Sequence, residues 1–163
     1  MSGTPAWTLL TPSGVPPSPR FGHGAIYDAI GDRLLSFGGG NGASTNDVWQ
    51  LSLAGSATWS QVVSTGAAPA PRFGMAAALD AQRYRLVIWG GDTTATYSSS
   101  SGALADGWSL NLTGAPVWVP LAPGSTAPTA RGWTAAMYDP LGDRLVLFGG
   151  LGAGNIVTND MWA

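Results

Sequence analysis

Short apolar runs recur along this chain, separated by clusters of Gly, Asp, Asn, Ser and Pro. The clearest are Arg33-Leu34-Leu35-Ser36-Phe37, Arg85-Leu86-Val87-Ile88-Trp89 and Arg144-Leu145-Val146-Leu147-Phe148, each ending at a Gly pair. Runs this short, rich in branched and aromatic residues and bounded by turn formers, predict β-strands. No segment carries helical periodicity. The 24 Gly and 12 Pro are too many for a helical protein, yet they form no low-complexity tract and instead punctuate the apolar segments.

The pattern repeats. Trp7, Trp59 and Trp118 are spaced by 52 and 59 residues. The same two spacings relate Arg20, Arg72 and Arg131; Asp28, Asp80 and Asp139; Arg33, Arg85 and Arg144; and the pairs Gly38-Gly39, Gly90-Gly91 and Gly149-Gly150. Five marker sets in one register define repeat units at about 7–58, 59–117 and 118–163 within a single domain spanning 1–163. Each unit predicts four strands. The first covers 21–27, 73–79 and 132–138, and the second is the run before the Gly pair. The third carries Asp47-Val48-Trp49, Asp106-Gly107-Trp108 and Asp160-Met161-Trp162, and the fourth carries Trp7, Trp59 and Trp118. Gly31-Asp32 and Gly142-Asp143 suit the tight turn between the first two strands. The second unit departs from its neighbours. It has Gln82-Arg83 for their Gly-Asp, Met75 where the first unit has His23, and seven extra residues in the loop 92–105.

The residues Arg20-Phe21-Gly22-His23, Tyr27-Asp28, Gly38-Gly39, Asn46-Asp47-Val48-Trp49 and Trp59 resemble the kelch repeat, and the resemblance covers nearly the whole chain. It implies an all-β fold, a kelch-type β-propeller with three four-stranded antiparallel blades per chain, the first strand innermost and the fourth outermost. It also implies that loops joining strands two and three share a face with the loops joining blades. Closed propellers have four to eight blades, so three leave an open ring with apolar faces. The chain starts in a fourth strand at Trp7 and stops in a third strand at Trp162. A six-bladed homodimer is therefore expected, each subunit donating its first strand to the other's last blade. The alternative is a fragment of a longer single-chain propeller.

Charge narrows the functional classes. All seven basic residues are Arg and all nine acidic residues are Asp, giving a net charge of −2 with no basic block. That argues against nucleic acid and against an anionic membrane surface as partners. No apolar run is long enough to span a bilayer, and 1–6 lacks the regions of a secretory signal, so a soluble protein is expected, its compartment unassigned. With no Cys, thiol chemistry is excluded.

All charged residues except Arg83 and Asp92 belong to repeated sets, which favours turn capping and buried Arg–Asp pairs. The functional alternative is a ring of Arg20, Arg72 and Arg131 at the channel mouth, binding carboxylate or phosphate through planar forks. Asn41, Asp92, Tyr97 and Asn155, on loops between strands two and three, complete the candidate ligand contacts. His23 is the single His. Its ordinary role is a packed, hydrogen-bonded residue. In a dimer, two His23 on inner strands could share a divalent metal, the one cofactor considered, though no third ligand is evident. No nucleophile elbow, zinc-binding motif or phosphate loop is present.

Three functional expectations follow. The first is a binding module that takes a protein or small ligand at the loop face or channel. The second is a metal-dependent hydrolase of esters, lactones or phosphotriesters using two His23, by analogy with other propellers. The third is a propeller-forming fragment with no activity of its own.

Overall fold

A computed structural model describes residues 4–94, 101–122 and 124–163. A two-residue strand, β1 (Ser13–Gly14), precedes the first blade. That blade comprises β2 (Gly24–Asp28), β3 (Arg33–Phe37), β4 (Val48–Ser52) and β5 (Thr58–Val62), antiparallel in chain order, with β1 added to β5 in parallel. The second blade repeats the meander as β6 (Ala76–Asp80), β7 (Arg85–Trp89), β8 (Gly107–Asn111) and β9 (Val117–Leu121). The third holds β10 (Arg131–Gly132), β11 (Ala135–Asp139), β12 (Arg144–Gly152) and β13 (Ile156–Trp162), with no strand outside β13 among the described residues.

Alternation along each strand sends side chains to opposite faces, and the blades stack face to face. Leu86 and Ile88 of β7 join Leu35, Phe37 and Val48 of blade one in the larger core, together with Met75, Leu110 and Trp118. Trp89 turns the other way and packs with Ala76 and Leu147 of blade three. The inner strands β2, β6 and β11 are successive neighbours, which places the start of each blade nearest the common axis.

The second strands β3 and β7 begin and end as the sequence predicts, while β12 begins as predicted but runs through its Gly pair to Gly152. The first strands start three residues late, because 21–23 and their counterparts are drawn into bonds between blades and a bridge from Phe21 to Gly40. The fourth strand expected at Trp7 is one that pairs with a second copy. Within one chain no blade edge meets that segment, and Trp7 is 103% exposed in irregular backbone. The reading of Gln82-Arg83 as the Gly-Asp equivalent is also corrected, by one residue. Positive φ falls at Asp32, Tyr84 and Asp143, so Arg83-Tyr84 occupies that turn.

Candidate functional site

Each blade contains the same buried polar triad. Arg20 reaches Asp47 through two bonds of 2.7 and 2.9 Å, Arg72 reaches Asp106 at 2.7 and 3.0 Å, and Arg131 reaches Asp160 at 2.5 and 3.0 Å. The indole N–H of Trp49, Trp108 or Trp162, two residues after the Asp, donates to the same carboxylate. Each guanidinium also donates to the carbonyl of the first glycine of the pair: Gly38, Gly90 or Gly149. The Arg side chains are 5, 0 and 3% exposed. Burial alone would raise the Asp47 pKa, but bonds from Arg20, Trp49 and Thr45 and the Arg20 charge hold it at about 2. Asp160 is likewise held well below its usual range, chiefly by the hydrogen bond from Arg131. These forks are engaged inside the blades, so the Arg ring reads as the structural alternative: a clamp joining each blade's inner strand to its third.

A second set caps the turns on the opposite side. Asp28 and Asp139 each accept two backbone N–H bonds through Oδ1 and the Nε–H of Arg33 or Arg144 through Oδ2, while Asp80 takes the backbone N–H of Arg83 and the Nε–H of Arg85. Blade two departs from the repeat here because its turn ties the blades together. The Tyr84 hydroxyl donates to Asp28 of blade one at 2.9 Å. Arg83 forks onto Asp143 of blade three at 2.6 and 2.5 Å and also reaches Asp80.

The loops between strands two and three meet the blade connections on one face, as expected. Asn46 donates to the Pro69 carbonyl, the Arg72 N–H donates to Thr45, and the Ser44 hydroxyl donates to Thr93. Asn41 is exposed at this face. Asn155 is exposed in the turn between β12 and β13 and adopts a positive φ. Asp92 is 4% exposed. One carboxylate oxygen accepts from the Thr94 N–H and hydroxyl, while Oδ2 has no partner among the described residues. Tyr97 lies outside the described residues. Asn41, Asp92 and Asn155 thus stand on loops of three different blades.

The inner ends of the blades do converge. The Gly74 N–H donates to the Gly22 carbonyl at 2.7 Å, and the Trp133 N–H donates to the Gly74 carbonyl at 2.6 Å, linking three equivalent positions around the axis. A parallel rung runs from Gly39 to the Arg72 carbonyl and from Gly91 to the Arg131 carbonyl. At this rim lies an open cup of about 370 Å³, bounded by Gly22 and Gly74 and by the side chains of His23, Met75, Trp133 and Thr134. In the single chain His23 is exposed and its ring has no hydrogen-bond partner among the described residues. The reason is its neighbour. The equivalent Met75 is 5% exposed because it packs against blade one, whereas the matching side of blade one is open. Burial, and secondarily the Arg20 charge, lower the His23 pKa and favour neutral imidazole. Among the described residues no group of three His, Cys, Asp or Glu could hold a metal.

Trp133 was not singled out by the repeat pattern, although a signal was present. Blades one and two carry Phe21-Gly22 and Phe73-Gly74, while blade three reverses the order to Gly132-Trp133. Gly22 and Gly74 have φ of 63° and 59°, and Trp133 has 56°, a conformation costly for a bulky residue.

Three radially stacked antiparallel sheets with clamped inner strands define a β-propeller segment. The match to the KLHDC2/KLHL20/DRC7 Kelch-repeats domain runs over residues 2–163, and the chain belongs to the kelch-repeat family. Relatives include the serine/threonine-protein phosphatase BSL2 of Arabidopsis thaliana, 36% identical over 75% of this chain and 12% of that protein. Host cell factor 2 of Homo sapiens is 37% identical over 44% of this chain and 9% of its own length. The chain thus spans a small part of these relatives. Among solved structures, YjhT matches with a TM-score of 0.64 at 16% identity, over 87% of this chain and 42% of that one. A fungal alcohol oxidase of the AA5 family, in complex with copper, matches equally well at 19% identity, over 87% and 30%. Both likenesses concern the fold alone.

Proposed function

We propose that this chain is a non-catalytic interaction module, and that as a 163-residue chain it closes into a six-bladed ring with a second copy. The observation that carries the ring is the pairing of two defects. Blade three presents Met137, Val146, Phe148 and Met161 on an uncovered face, beside the unpaired edge of β13, and the segment holding Trp7, Leu9 and Leu10 is exposed without a sheet to join. An uncovered apolar face of this kind favours association.

The repeat supplies a register for strand exchange. Gln61 and Pro120, two residues after the repeated Trp, stand opposite Trp49 and Trp108, and the residues after them stand opposite Val48 and Gly107. By the same register, Leu9 of one copy meets Trp162 of the other, and Leu10 meets Met161. Partners of the closed ring bind at the loop face, where Asn41, Asp92, Tyr97 and Asn155 are the contacts to test.

Native mass spectrometry tests the assembly. The expected result is a dimer that Leu9→Asp with Leu10→Asp converts to monomer; a monomeric parent chain overturns it. Metal analysis of the same sample addresses the hydrolase reading, which needs two His23 and has no observation favouring it. A dimer whose bound divalent metal disappears in His23→Ala would revive that reading.

A further inference from the structure

We propose that the cup at the inner rim is a binding site for a flat, uncharged heteroaromatic ligand, stacked on the Trp133 indole and hydrogen-bonded by His23. The inference rests on reading the chain as a binding module and specifies the ligand class. Every lining group named here comes from one chain, and the exposure of His23 is that of the single chain, whose first blade has no neighbour on that side.

Trp133 is the starting point. At the two equivalent positions the backbone has the same left-handed conformation and the residue is Gly, so the Trp occupies a backbone that is costly for a bulky residue. Its ring takes a defined place: a Cβ on Gly74 would stand 2.8 Å from the indole Cδ2, and one on Gly22 would stand 3.1 Å from Cη2 of the same indole. The indole therefore lies over the glycine backbone of both preceding blades and keeps 38% of the residue's surface exposed. The two glycines make room for the ring, and the ring presents an aromatic surface to the cup.

The rest of the lining fixes the chemistry. The side chains of Met75, Thr134 and Ala135 add apolar and hydroxyl surface, and no Arg or Asp lines the cup. A charged ligand would leave its counter-charge unmet there, whereas a neutral planar one stacks on indole at no such cost. His23 supplies the one strong polar handle, an exposed imidazole able to donate from one nitrogen and accept at the other. The volume, about 370 Å³, suits a bicyclic ligand.

The test is ligand-observed NMR at pH 7.5 with quinoline as the probe and benzoate as the charged comparison. Quinoline is expected to show saturation transfer at millimolar concentration, and benzoate none. Trp133→Gly, which installs the residue of the other two blades, is expected to weaken quinoline binding at least tenfold. His23→Met, the residue blade two carries, preserves the fold and is expected to weaken it severalfold. Quinoline binding unchanged in either folded variant overturns the proposal, as does absence of binding to the parent chain. Failure here with the dimer intact would sink this site and leave the assembly standing.

Discussion

Blade two and blade three carry the same strand pattern in different surroundings. Trp89 and Ala78 of blade two are buried against the next blade, while their counterparts Phe148 and Met137 are 52 and 60% exposed. The sequence writes an apolar residue at both sites. Whether that residue stabilises the chain depends on a neighbouring sheet, because burial belongs to a pair of faces and not to a strand. An apolar position left uncovered within such a repeat marks a face that another sheet would bury.

Four measurements break or sharpen this contrast. The largest effect is expected from matched truncations: Trp89→Ala should cost about 3–5 kcal/mol in chemical denaturation, and Phe148→Ala under about 1 kcal/mol for the monomer. Equal losses would refute the contrast. Arg72→Leu should cost about 1–3 kcal/mol, because the Gly90 carbonyl loses its charged donor while Asp106, 44% exposed, stays hydrated. Phe148→Asp should leave the monomer's thermal midpoint nearly unchanged yet weaken self-association at least tenfold, read by sedimentation. Smallest is the effect of acid within the folded range. The clamp carboxylates have lowered pKa values, Asp47 at about 2, so they bind protons more readily in the unfolded chain. Their stabilisation is complete above the ordinary value of 3.8 and is lost as the pH falls from there towards 2. Stability that instead rises on acidification across that window would contradict the clamps.

Much of the fold was legible because the repeat samples each position three times. Spacing pointed to buried Arg–Asp pairs, and the structure supplied which Asp each Arg holds and the Trp that joins them. The turn in blade two was less legible. Arg83 and Tyr84 look like departures from the pattern until their partners, Asp143 and Asp28, are seen on the adjoining blades. His23 and Trp133 were harder still. One looks packed and is exposed in the single chain; the other looks like a shifted aromatic and forms a wall of the cup.

By itself the sequence determined the four-strand repeat, the order of its strands and membership of the kelch family, because these depend on alternation and on spacing within one repeat. Only the tertiary structure decided which apolar faces are covered within one chain, and that the rim glycines and Trp133 share one surface. Those outcomes depend on how separate sheets meet around an axis, and that geometry is set by contacts between repeats, which the pattern within a repeat does not encode.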